Sequence, residues 1–191
     1  MKNSTKVLIG IGAALLLIIF WFFGTRNSLV SLREDVEMQQ AQIETTLQRR
    51  SDLIPNLVET VKGYTKHEEE VFTEIAEART KLAGSIESGN MEDINEANSD
   101  LDSALSRLLA ISENYPDLKA SEQFTALQDE LAGTENRIAV ARQYYNEKVK
   151  TYNSKVQSFP TSIVAGMSGY YPMTYFEADE GAKEVPKVDF N

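Results

Sequence analysis

The 191-residue chain has no cysteine, one histidine and one tryptophan, and only 19 Lys plus Arg against 29 Asp plus Glu. Without cysteine there is no disulfide, no thiolate metal site and no lipidated N-terminal thiol. The single histidine, His67, has no second histidine to share a metal ion and stands on a joint between helices. Beside Glu68, Glu69 and Glu70 it reads as a hydrogen-bonding or solvated side chain. Gly-rich phosphate loops are missing too, since Gly10-Ile11-Gly12 lies inside an apolar run where small residues serve helix packing. These absences point to a protein that is not an enzyme and uses no cofactor and no metal.

The shortage of basic residues excludes a second class of function. Lys2, Lys6 and Arg26 are basic and no acidic residue lies among the first 26, so the remainder is more acidic than the whole chain, whose net charge is −10. Nucleic-acid binding depends on Lys and Arg displacing counterions, and this surface repels phosphate. The acidic residues Glu87, Glu92, Asp93, Glu96, Asp100 and Asp102 lack the spacing of a calcium loop and read as a solvated helix face.

What the chain does have is an uncharged apolar run at 7–23, about 26 Å long as a helix and near the short limit for crossing a bilayer. A signal peptide is the competing reading, but cleavage needs small residues before the cut and the run ends in Ile19-Phe20-Trp21-Phe22-Phe23. An uncleaved anchor over 1–26 is therefore expected, with Trp21 at the headgroup boundary. Lys2, Lys6 and the amine, against Arg26 and Arg33, favour an N-terminus inside the cell (inner) membrane in a single-pass topology.

The remaining 165 or so residues suffice for one domain with a core, expected over 27–158 and followed by an aromatic tail over 159–191. Leu29, Leu32, Val36, Ile43, Leu47, Ile54, Leu57, Val61 and Tyr64 recur at helical spacing, so a first helix grows out of the anchor. Pro55 removes a backbone hydrogen bond from it and predicts a kink near Ser51. A second helix is expected over 66–88 with Val71, Phe72, Ile75, Arg79, Leu82 and Ile86 on one face, stopped by Gly89-Asn90. A third spans 91–114 with Ile94, Ala97, Leu101, Leu105, Leu108 and Ile111 inward, before the turn Tyr115-Pro116-Asp117. A fourth starts at Ser121, with Phe124, Leu131, Ile138, Tyr145, Tyr152 and Phe159 at intervals of seven. The fold expected is all-α: a transmembrane helix continuous with an antiparallel four-helix bundle of two long and two short helices, with coiled-coil-like seams and an irregular apolar tail.

By rise per residue the fourth helix descends about as far as the first climbs, returning the chain to the membrane. The tail then brings Ile163, Met167, Tyr170, Tyr171, Tyr175 and Phe176 to membrane level, either in the headgroup layer or folded against the bundle. In the bundle, Arg50 occupies a seam position about 35 Å above the membrane, the level of Glu135. We expect a structural polar layer there, formed by Arg50, Glu135, Asn136 and Arg142, that fixes helix register, with an Arg50 that snorkels to solvent as the equal alternative.

Several strings resemble the LemA family of bacterial membrane proteins. They are Gln48-Arg49-Arg50-Ser51-Asp52-Leu53-Ile54-Pro55-Asn56-Leu57-Val58, Val61-Lys62-Gly63-Tyr64, Glu77-Ala78-Arg79, and Glu113-Asn114-Tyr115-Pro116-Asp117-Leu118-Lys119-Ala120. Glu135-Asn136-Arg137-Ile138, Ala141-Arg142, Tyr144-Tyr145-Asn146 and Phe176-Glu177-Ala178 complete the set, which covers nearly the whole chain. The resemblance implies a single-pass membrane protein with a helical-bundle soluble part, and assigns no reaction. The stretch 169–175 departs from it in being more aromatic and less basic. The expected function is a scaffold or adaptor whose partners are membrane lipid, other membrane proteins and further copies of itself. A membrane-anchored sensor that binds a small ligand between helices and acts through a partner is the alternative.

Overall fold

A computed structural model describes residues 3–65 and 68–177. Among them are six helices and no strand: α1 (Asn3–Lys62), α2 (Glu69–Ser88), α3 (Met91–Ser112), α4 (Pro116–Lys119), α5 (Glu122–Gln157) and α6 (Thr161–Ser168). The fold is all-α. The apolar run and the first heptad seam form one unbroken helix, because nothing between Phe23 and Leu29 breaks it more strongly than Gly24. Two elements differ from expectation. Pro116 opens a one-turn helix where only a turn was expected, and the tail is not irregular at its start, since 161–168 is helical.

The described residues form two compact units whose division runs within α1 and α5. The first comprises residues 3–40 and 146–173. Its helix α1 begins with an apolar stretch of mean hydropathy 2.6, none of it buried, long and apolar enough to cross a membrane. Further along, Leu29 and Val36 are buried, as are Val149, Tyr152 and Val156 of α5 and Val164 and Ala165 of α6. Each large apolar side chain so buried contributes about 1.5–3 kcal/mol before entropy is counted. Asp35 accepts from Lys148 Nζ at 3.2 Å, and the charge of Arg33 acts on Tyr152, so α1 and α5 run antiparallel here.

The second unit comprises residues 41–65, 68–145 and 174–177. Ile43, Leu47, Ile54, Leu57 and Val61 of α1 are buried with Ile75 and Leu82 of α2, Ile94, Leu101 and Leu108 of α3, and Phe124, Ile138 and Tyr145 of α5. Tyr64, expected in the seam, is exposed. Helices α2 and α3 are antiparallel, joined by Lys81 to Glu96 and Asp100 and by Arg107 to Glu74. The joint is built as its residues require. Gly89 takes φ 68° and its N–H bonds the carbonyls of Ser85 and Ile86, after which Asn90 Oδ1 accepts the N–H of Glu92 at 3.0 Å as the N-cap of α3. Ser121 Oγ likewise accepts the N–H of Phe124 at the start of α5.

Candidate functional site

The second unit is organised around one buried cation. Arg50 lies on the core face of α1, one turn from Leu47 and Ile54, and its side chain is 9% exposed. Its guanidinium bridges Asp102 of α3 and reaches Glu135 Oε2 of α5 at 3.1 Å. Asn98, one turn before Asp102, holds the same group: its Oδ1 is 3.5 Å from Arg50 Nη1, and its Nδ2 donates to Asp102 Oδ2 at 3.0 Å. Desolvating a guanidinium is costly, and two carboxylates and an amide offset that cost only in this geometry. The two ion pairs are unequal. Asp102 is 19% exposed and Glu135 52%, so the first is an interior bridge and the second is screened by water.

The structure therefore brings Arg50 and Glu135 together but changes the rest of the expected layer. Asn136 is exposed, and Arg142 stands half-buried two turns along α5 from Glu135. Asp102, expected on a solvated acidic face, turns inward instead. The signal for it was Asn98, which sits among the inward positions Ile94, Ala97 and Leu101; a buried Asn one turn from an Asp marks a polar pocket.

Two grooves flank the cluster, and Asp102 and Glu135 line both. One, of about 460 Å³, is acidic: Glu92, Glu96 and Glu177 join those two carboxylates, against Arg142. The other, of about 500 Å³, is floored by Leu57, Leu105, Leu109 and Leu131 with Arg50 at its edge. Among the described residues, no three of His, Asp and Glu converge closely enough to hold a metal ion. His67 lies outside the described residues.

The tail residues divide. In the first unit, Asn153 is buried and makes a reciprocal pair with the Met173 backbone, donating from Nδ2 to its carbonyl and accepting its N–H, both at 2.8 Å. In the second unit, Tyr145 donates its hydroxyl to the Thr174 carbonyl at 2.8 Å, and Asn95 donates to the Tyr175 carbonyl at 3.1 Å. Burial raises the Tyr145 phenol to about 12. Of the side chains expected at a membrane or partner interface, Phe176 is buried and Tyr170 half-buried, whereas Trp21, Ile163, Met167, Tyr171 and Tyr175 are exposed. Phe159, expected in the seam of α5, is instead 82% exposed, because it lies past the end of that helix.

The profile of the LemA family matches residues 39–190. Among curated proteins the chain is similar to magnetosome protein MamQ 2 of Paramagnetospirillum magneticum, 26% identical over 187 residues that cover 85% of this chain and 68% of that protein. It is 28% identical to protein LemA of Metamycoplasma hominis over 170 residues, 89% of this chain and 75% of that protein. Magnetosome protein MamQ of Magnetospirillum gryphiswaldense is 26% identical over 188 residues, with 85% and 68% covered.

Proposed function

We propose a function from this premise: the chain belongs to the LemA family, and one helix of it carries both a segment apolar enough to cross a membrane and the cation at the centre of its helical domain. The protein is membrane-associated. On our reading it is a single-pass protein of the cell membrane with its N-terminus inside, acting as a non-enzymatic scaffold or adaptor that organises other membrane proteins and self-associates. The observation that carries this is the acidic groove. Arg50 is engaged by Asp102 and Glu135 and Lys81 by Glu96 and Asp100, and Glu92 and Glu177 leave the groove negative with Arg142 as the cation lining it. Such a surface suits Lys- or Arg-rich segments of other membrane proteins, selecting them by complementary charge. Gly10 has open space beside it and Ala14 lies one turn on, a small-residue pair suited to packing of anchors from two copies.

The chain has no cysteine, so Glu96→Cys is a unique cross-linking site in intact membranes. The expected result is adducts with other membrane proteins and with a second copy, reduced when Glu92 and Glu177 are changed to Lys. Recovery of monomers alone would overturn the proposal. Protease accessibility of a C-terminal tag, in intact against opened cells, tests the orientation.

The apolar groove favours a second reading, a sensor that takes a small ligand over Leu57, Leu105, Leu109 and Leu131. Metabolite screening by thermal shift separates the two, because a ligand that binds there raises the melting temperature and a pure scaffold shows no hit.

A further inference from the structure

We infer that α6 is an interfacial helix that rests on the lipid surface beside the anchor, through Phe159, Ile163, Met167 and Tyr171. Ile163 and Met167 lie one turn apart on α6, Phe159 precedes the helix and Tyr171 follows it, and in chain order the four are 82%, 54%, 75% and 69% exposed, while Thr161, Val164 and Ala165 on the opposite side of α6 are buried. An eight-residue helix thus has an inner face packed within its unit and an outer face of large apolar groups open to the surroundings. No charged residue occurs from 156 to 176, in a chain that is 25% charged overall. A solvated surface helix carries charge on its outer face; this one does not.

The register of the first unit gives the height of that face. Asp35 meets Lys148 across antiparallel helices. Ten residues down α1 is Thr25, just past the apolar run that ends at Phe23, and ten residues along α5 is Ser158, just before Phe159. Both steps are about 15 Å, so Phe159 and the start of α6 come level with the end of the anchor. An uncharged aromatic and aliphatic face at that level, within the same compact unit as the anchor, continues the membrane contact that Trp21 and Phe23 begin. The occupant is zwitterionic lipid, held by apolar insertion. An attraction to anionic headgroups needs a basic cluster, and the outer face of α6 has no basic residue.

This inference rests on the membrane attachment proposed above and on no protein partner. Spin labels on single cysteines in the full chain, one copy per phosphatidylcholine nanodisc, test it: Ile163→Cys and Met167→Cys, with Leu17→Cys and Met38→Cys as references. All four positions are exposed, so the labels fit without repacking. The expected result is that labels at 163 and 167 are several-fold more accessible to membrane-dissolved oxygen than to an aqueous nickel chelate, as at 17, with the reverse at 38. If 17 reads lipid while 163 and 167 match 38, the inference is overturned and the anchor stands. If 163 and 167 are shielded from both reagents, protein covers the face and the inference is again overturned. If 17 itself reads water, the membrane attachment fails and α6 falls with it.

Discussion

Arg79 of α2 donates its Nε–H to the carbonyl of Ser51 at 3.1 Å, the α1 oxygen that Pro55 leaves without its intrahelical donor. Proline has no N–H, so the oxygen four residues before it is orphaned, and Ser51 is only 2% exposed. A guanidinium from the neighbouring helix takes the place of the lost bond, and α1 continues as helix through Pro55 to Lys62.

The two residues Arg79 and Pro55 are therefore predicted to be energetically coupled. Arg79→Ala leaves a buried carbonyl unpartnered and costs about 1–3 kcal/mol in denaturant unfolding of the micelle-solubilised protein. In a Pro55→Ala background, the backbone N–H restored at position 55 satisfies the Ser51 carbonyl, and the same change costs clearly less. Equal costs in both backgrounds would show that Arg79 acts elsewhere.

The Arg50 cluster predicts an order of effects. Arg50→Ala strands the mostly buried Asp102 and costs about 3–5 kcal/mol. Glu135→Gln costs less than about 1 kcal/mol, because that carboxylate is 52% exposed and its pair is screened. Replacing Arg50 and Asp102 together by Met and Leu recovers much of the loss, since no charge is then left buried. An Arg50→Ala variant as stable as the parent would contradict the buried-bridge reading.

Tyr145 makes stability depend on alkaline pH. Its phenol is held neutral by burial, and its folded value of about 12 lies above the ordinary value of about 10. Burial pushes Tyr152 in the same direction. A raised folded pKa means that the stabilisation is complete below about pH 10 and is lost as pH climbs from about 10 to about 12. Tyr145→Phe loses the bond to the Thr174 carbonyl but makes the melting temperature less sensitive to pH in that window. A variant whose melting temperature falls as steeply as the parent's there would disprove the assignment.

Asn153 predicts where the tail comes loose. Asn153→Ala removes both hydrogen bonds to Met173, and Asn153→Asp removes the donor and buries a charge. Chymotrypsin is expected to cut after Tyr170 several-fold faster in either variant than in the parent, read by mass spectrometry over time. Unchanged cleavage would mean that the pair does not tie the segment down.

Much of this molecule follows from local pattern. Leu29, Val36, Ile43, Leu47, Ile54 and Leu57 had to lie on one helix face because their spacing is that of a helix, whatever packs against it. Gly89 and Asn90 had to end one helix and begin the next because their backbone and side-chain preferences are local. The candidate membrane span was legible in the same way, since the run at 7–23 is uncharged and long enough as a helix to reach across a bilayer core.

Partner choice is different. That Asp102 faces Arg50 instead of water, that Arg79 meets the oxygen orphaned by Pro55, and that Phe176 is buried while Phe159 is exposed all depend on the heights at which separate helices meet. Those heights are set by loop lengths and core packing over the whole chain, so periodicity within one helix cannot supply them. Sequence alone determined which face of each helix is apolar and that the chain carries a segment apolar enough to cross a membrane; tertiary structure decided which polar groups that packing enclosed together, because enclosure is a property of several helices at once.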